Sequence, residues 1–306
     1  MKILIVGAGG VGGFFGARLI NVGADVTFLL REARHQKVQA EGLTIETPSE
    51  TFTLHPKSVT KEQLKPDYDI IMLAPKAFDL DSALESVAGA SSKGVFIPFL
   101  NGLNHIQLLD EKFGRDRVMG GVAQIAGTIT KTGAVKQLTE LATMTIGPRA
   151  QAHTDLAKQL YALCENAKFD RVYSENIEQS LWDKWIYLAT LAAMTTLFRG
   201  AVGDIVAAPW GAEMMTKCFG ETCAIAQAHG FPMRESARER SVGLLTKPGS
   251  GFTASMLRDL RNGNMTEHDH ILGAMVNKGI EKGVPCDLLK AAHTQLFVAQ
   301  AARQVS

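Results

Sequence analysis

Gly7, Gly9 and Gly12 stand at Gly-x-Gly-x-x-Gly spacing within Gly7-Ala8-Gly9-Gly10-Val11-Gly12. Glycines so placed can hold a dinucleotide. The first permits a tight turn, the second lets the backbone approach a pyrophosphate, and the third lets a helix pack on a strand, while the helix N-terminus offers unpaired N–H groups to the phosphates. The spacing alone says little. Here it follows an apolar, β-rich run over residues 2–6 and opens a helical pattern with Phe14, Phe15, Ala17, Leu19 and Ile20, which is the context the chemistry needs. The alternative is a glycine-rich turn that binds nothing. The end of the next strand selects the nucleotide. An enzyme for NAD usually carries Asp or Glu there, accepting from the ribose 2′-hydroxyl. This strand ends Phe28-Leu29-Leu30-Arg31, and Asp25 lies at its other end. The fixed charge and forked donors of Arg31 suit a 2′-phosphate, so the expected cofactor is NADP (NADPH). Glu32 should point elsewhere, and a solvated loop arginine is the competing reading of Arg31.

Other chemistries find little support. Cys164, Cys218, Cys223 and Cys286 form no Cys-x-x-Cys pair and read as reduced, buried thiols of a cytoplasmic protein. His268 and His270 are the one close pair among eight histidines and read as surface residues at a helix start, so no metal is expected. With 32 basic against 31 acidic residues the formal charge is +1, which favours neither nucleic acid nor an anionic membrane as a partner. The apolar opening runs at once into glycines, unlike a signal peptide. The longest apolar stretch, residues 186–198, is too short for a membrane span.

These residues need elements to position them. At 306 residues, 46% hydrophobic and 21% charged, the chain is expected to form two domains. Strands are predicted over 2–6, 25–30, 68–73, 95–99, 118–122 and 169–173, and helices over 14–20, 78–87, 105–113 and 156–164. Residues 42–48 and 51–54 form an inserted hairpin, and 135–138 is expected to pair antiparallel with 142–146. Strands alternating with helices imply a doubly wound sheet. Beyond about residue 175 helical periodicity runs through 177–198, 212–229, 255–260, 267–282 and 288–302. The fold class is therefore α/β, with an N-terminal Rossmann-like doubly wound sheet in residues 1–174 and an all-helical domain in 175–306.

The chain resembles the ketopantoate reductase family over nearly its whole length. The resemblance rests on Gly7-Ala8-Gly9-Gly10-Val11-Gly12, Arg31, Ala74-Pro75-Lys76-Ala77, Asn101-Gly102, Trp182-Asp183-Lys184, Ser255-Met256-Leu257-Arg258-Asp259 and Thr266-Glu267-His268-Asp269. It implies NADPH-dependent reduction of a small-molecule 2-oxo acid, ketopantoate (2-dehydropantoate), to its 2-hydroxy acid in pantothenate biosynthesis. It also implies a helical domain like the C-terminal domain of 6-phosphogluconate dehydrogenase and, by analogy, a homodimer. By the same resemblance Lys184 is catalytic, Glu267 lies beside cofactor and substrate, and Asn101 contacts the nicotinamide ribose and substrate. Lys76 lies near them, Ala126 joins the cofactor-binding set, and Ser255 bonds the substrate carboxylate. The chemistry agrees for Lys184. A hydride delivered to a ketone carbon creates an alkoxide, which needs a proton or a nearby cation. A mid-helix ammonium beside Trp182 and Trp185, with Leu188 and Ala192 on its face, would be partly desolvated and a better proton donor. Without the resemblance each residue has a plainer reading: Lys184 a helix-edge lysine, Glu267 a first-turn acid, Ser255 a cap, Asn101 a turn residue, Lys76 a solvated lysine.

The chain also departs from the family. Members that reduce ketopantoate commonly carry asparagines one and two turns after the lysine, and another before a Gly-acidic pair. Leu188, Ala192 and Val202 stand there instead. A site that bonds a hydroxyl discriminates strongly through that bond, so Leu188 and Ala192 are expected to form a substrate wall for a bulkier or more apolar 2-oxo acid. Arg199 reads first as a surface arginine, with a replacement clamp for the carboxylate as the second reading. Two other functions compete. A β-hydroxyacid or opine-type dehydrogenase is opposed by the block over 255–267; a non-catalytic NADP(H)-binding regulator is supported by the missing asparagines and opposed by Lys184 and Glu267.

Overall fold

Residues 2–6 are apolar because both faces of their strand are covered. In β1 (Lys2–Val6), Ile3 and Ile5 enter one core, and Leu4 and Val6 enter another, as the alternation of a strand requires. The computed structural model describes residues 1–88 and 93–304. From β1 the chain runs through the glycine turn into α1 (Gly12–Asn21), then β2 (Asp25–Leu29), α2 (Glu32–Glu41), the hairpin β3 (Leu43–Glu46) and β4 (Thr51–Leu54), and β5 (Lys57–Val59). There follow β6 (Ile70–Leu73), α3 (Leu80–Val87), β7 (Val95–Pro98), α4 (Asn104–Phe113), β8 (Gly120–Ile129), β9 (Val135–Gly147), α5 (Thr154–Leu163) and β10 (Asp170–Tyr173). Five strands form an all-parallel sheet in the order β5-β2-β1-β6-β7. The order reverses beside β1, as in a Rossmann-like sheet.

The remaining strands correct the expected single sheet. They build a second, mixed sheet, β10-β9-β3-β4, with β8 along β9. Residues 135–138 and 142–146 do not pair with each other. Thr139-Glu140-Leu141 between them has no turn former, so the chain continues straight as β9, and β8 pairs with it antiparallel from Gly120–Gly147 to Ile129–Val135. The turn lies earlier, where Gly133 has φ +92° and the Thr130 N–H donates to Ala134 O at 2.9 Å, a conformation glycine adopts without strain. The strand expected over 118–122 is thus the start of a longer one. The helix α2 escaped notice because Val38 is its one buried residue and no apolar stripe marks it.

The helical part contains α6 (Ile177–Phe198), α7 (Val202–Ala207), α8 (Gly211–Ala228), α9 (Glu235–Leu245), α10 (Ser255–Arg261), a π-helical turn Asp269–Gly273, α11 (Ala274–Glu281) and α12 (Asp287–Gln304). The helix α6 tolerates three buried threonines because Thr190, Thr195 and Thr196 donate to the carbonyls of Ile186, Leu191 and Ala192 at 2.9, 2.6 and 2.6 Å. By contacts the chain forms two units, Met1–Leu100 with His105–Glu178, and Asn101–Asn104 with Gln179–Ser306. Leu103 packs on the helical core. All four cysteines are free and buried, and no described helix is long and apolar enough to cross a membrane.

Candidate active site

The glycine loop separates structural from open positions. Gly7 has φ +92°, and its N–H donates to Leu29 O at 3.1 Å, turning the chain out of β1. A Cβ on Gly12 would lie 2.3 Å from Gly7 O and 3.0 Å from Ala74 Cβ, so α1 reaches the sheet only with glycine there. A Cβ on Gly10 would lie 2.7 Å from the Gly127 carbonyl carbon. At that point β8 bulges, its register skipping Ala126 between Ile125 and Gly127, and so Ala126 is carried beside the loop. Gly9 differs: a Cβ there meets nothing within 4 Å. Among the described residues no atom beyond its chain neighbours demands glycine at that position, and the open space is what a pyrophosphate would fill. Val11, at the cap position of α1, makes no side-chain cap bond and no acid occupies the first turn, leaving the helix end suited to an anion. The loop therefore fits a dinucleotide.

Arg31 ends this strand–turn–helix unit at the cap of α2. Its side chain is 77% exposed, and its guanidinium donates to Asp79 Oδ1. Glu32 accepts from Gln36 at 2.6 Å along α2, which holds it on the helix surface. Lys76 is exposed at the start of the short turn Ala77–Asp79 that carries Asp79.

In the helical unit Lys184 is half-buried between the buried Trp182 and Trp185. Burial pushes its ammonium down to about 8, against the opposing pull of the Glu267 carboxylate, because desolvation penalises the charged form. The Trp182 ring stacks on His229 and Phe231 at 5.6 and 5.4 Å. The indole N–H of Trp185 donates to Ile271 O at 3.1 Å, and the Ile271 N–H donates to Glu267 O at 3.0 Å. The helix bearing Lys184 is thus tied to the segment bearing Glu267. Asp183 serves structure: it is buried and accepts from Arg234 Nε at 2.6 Å and Gln179 Nε2 at 2.9 Å.

Glu267 is 8% exposed, which is not the setting of a solvated first-turn acid. The Asn101-Gly102 turn meets the same segment. Gly102 has φ +79°, and a Cβ there would lie 2.7 Å from His270 O. The His270 ring hydrogen-bonds the Asn101 backbone, and burial holds its pKa below the usual histidine value, while Glu267 and that bond pull it upward. Lys184, Glu267, His270 and Asn101 therefore form one cluster. Sequence reasoning missed His270; its place in the Glu267 block was the available signal. The reading of His268 as a surface residue is also corrected, since it is 3% exposed.

Ser255 is exposed in the first turn of α10, Ala254 takes the cap position, and no side-chain cap bond forms, so the capping reading fails. Leu188 is half-buried, one turn from Lys184. Ala192 and Val202 lie inside the helical core. Arg199 is exposed beyond the end of α6. It is fifteen residues from Lys184, roughly 22 Å at the helical rise, too far to clamp a ligand held by that lysine.

Comparison with known proteins places these features. Residues 3–151 match the family ketopantoate reductase PanE/ApbA, and residues 176–299 match ketopantoate reductase PanE/ApbA C terminal. The uncharacterized oxidoreductase YkpB of Bacillus subtilis (strain 168) is 30% identical over 302 residues, 98% of this chain and 99% of that protein. A 2-dehydropantoate 2-reductase of Halobacterium salinarum is 23% identical over 302 residues, with the same coverage of 98% and 99%. The ternary structure of D-mandelate dehydrogenase with NADH and anilino(oxo)acetate has a TM-score of 0.89 at 20% identity, covering 99% of this chain and all of that one, a likeness of fold.

Proposed function

The chain belongs to the ketopantoate reductase family, and from that premise we propose that it reduces a 2-oxo acid to a 2-hydroxy acid with NADPH, ketopantoate being the default substrate. It is an oxidoreductase of the class acting on CH–OH groups. The observation that carries the finer reading is the desolvated Lys184 ammonium facing Glu267.

The dinucleotide, when bound, supplies a hydride. This chain's own residues do the rest. The loop Gly7 to Gly12 cradles the pyrophosphate, Ala126 and Lys76 belong to the same cofactor set, and Arg31 bonds the 2′-phosphate. Lys184 gives its proton to the substrate oxygen as charge develops there. Glu267 holds the ammonium in place, Asn101 orients the reacting carbonyl, and Ser255 bonds the substrate carboxylate. The unit of Met1–Leu100 with His105–Glu178 serves as the cofactor domain, and that of Asn101–Asn104 with Gln179–Ser306 as the substrate domain.

Leu188, half-buried beside Lys184, supports a more apolar 2-oxo acid than ketopantoate. D-mandelate dehydrogenase, of the same fold, was solved with NADH and anilino(oxo)acetate, an oxo carboxylate that carries a phenyl ring. The test is NADPH oxidation with ketopantoate and a panel of bulkier aliphatic and aryl 2-oxo acids. Efficient turnover of ketopantoate makes the family asparagines dispensable; turnover of bulkier acids alone assigns the specificity to the Leu188 face. Lys184→Ala should lower turnover about 10²–10⁴-fold with NADPH binding intact. Unchanged turnover in that variant sinks the mechanism.

A further inference from the structure

Three side chains of the helical unit meet without a part in this chemistry. One ring nitrogen each of His268 and His293 and a carboxylate oxygen of Asp269 lie within 4.8 Å of one another. His293 Nε2 is 2.7 Å from Asp269 Oδ1, His268 Nε2 is 3.7 Å from the same oxygen, and the two rings are 5.4 Å apart. His293 comes from α12, while the other two stand at the π-helical turn, an element found often at functional sites.

The neighbours of His268 fix its tautomer. The Thr266 hydroxyl and backbone N–H approach Gln300 Oε1 at 3.2 and 3.3 Å. A hydroxyl that gives its hydrogen to Gln300 can only accept from the imidazole. The 2.9 Å contact between Thr266 Oγ1 and His268 Nδ1 therefore puts the ring hydrogen on Nδ1 and leaves a lone pair on Nε2. That Nε2 is buried and has no hydrogen-bond partner among the described residues. It faces a carboxylate oxygen, so two acceptors confront each other where a buried polar atom calls for a partner. Gly273 keeps the space open: a Cβ there would lie 2.9 Å from His293 Nε2 and 3.5 Å from Asp269 Oδ1.

We propose that His268 Nε2, Asp269 and His293 Nε2 bind a divalent transition-metal ion of the zinc class. Two imidazoles and one carboxylate suit such an ion, and the exposed side of Asp269 leaves room for water as a further ligand. Bonds of about 2.0–2.1 Å in a tetrahedron set neighbouring ligand atoms about 3.3 Å apart, between the 3.7 and 2.7 Å spacings of the histidines to Asp269 Oδ1, so the two rings need only readjust about that oxygen and close toward each other from within 4.8 Å. On binding, the His293 ring hydrogen moves from Nε2, where it now serves Asp269, to Nδ1. The pair Thr266–Gln300 is the outer partner that orients a ligating histidine. The ion ties α12 to the turn that follows Glu267. The site does not depend on the reductase reading, and its titration is read without turnover.

The experiment is titration of the chelator-treated protein with Co(II), followed by its visible absorption, then displacement by Zn(II). One Co(II) per chain, displaced by Zn(II), is expected. His293→Ala and Asp269→Asn, at partly exposed positions, should keep native circular dichroism and weaken binding at least about tenfold; Thr266→Val, which releases the tautomer, should weaken it roughly 10–100-fold. No bound Co(II), or an affinity unchanged by His293→Ala, overturns the proposal.

Discussion

Lys184 is the residue where burial and charge are most opposed. Its ammonium, ordinarily at 10.5, is held down to about 8. As proton donor it is competent below that value, so turnover should fall as pH rises through about 8. The unfolded chain binds this proton up to its ordinary pKa, so between about 8 and 10 the unfolded state holds more protons, and the contribution of Lys184 to stability rises with pH across that window. Lys184→Met should therefore raise the midpoint of thermal unfolding at neutral pH while removing turnover; a lower midpoint would make the lysine structural. Arg31 allows a separate test. A charge-assisted bond to a phosphate contributes about 1.5–3 kcal/mol, so Arg31→Ala should raise the KM for NADPH roughly 10–100-fold and leave that for NADH little changed. Equal effects on both would remove the arginine from nucleotide selection.

At the scale of elements, the glycine turn makes opposite predictions for two of its residues. Gly12→Ala drives a methyl onto Gly7 O and should cost about 1–3 kcal/mol of stability. Gly9→Ala meets no protein atom, so stability should hold within about 0.5 kcal/mol while dinucleotide binding weakens; calorimetry beside a binding titration separates the two. Trp185 joins α6 to the Glu267 segment through one buried bond to Ile271 O. Trp185→Phe removes that bond, at about 0.5–1.5 kcal/mol, and should lower kcat with little change in the KM for NADPH. An unchanged kcat would mean the bond serves packing alone.

For the whole molecule, the chain passes between its two units at 100–101, 104–105 and 178–179, so the helical unit is not a simple C-terminal piece. Leu103, from the short returning segment, packs on the helical core. Leu103→Asp would set a charge there and should destabilise the helical unit by about 2 kcal/mol or more, with NADPH binding by the other unit retained. Loss of both together in calorimetry and binding would show that the units unfold as one.

Local pattern determined much of this. The glycine spacing after β1, the alternating cores of β1 and β6 and the long buried α6 were legible because they depend on residues near one another in sequence or on one element's period, whereas Lys184 and Glu267 were singled out only by the family resemblance. The family resemblance added the substrate class. Tertiary structure decided the rest. Whether 135–147 folds back or runs straight depends on its partner β8. Whether Arg31 is alone depends on Asp79, 48 residues away. Ala192 read as part of a substrate wall but lies in the helical core, and His268 read as exposed until α12 brought His293 and Gln300 beside it. Burial and pairing across long stretches of chain set the charge state of Lys184 and the tautomer of His268. No spacing in a sequence records which distant groups will exclude water from a side chain.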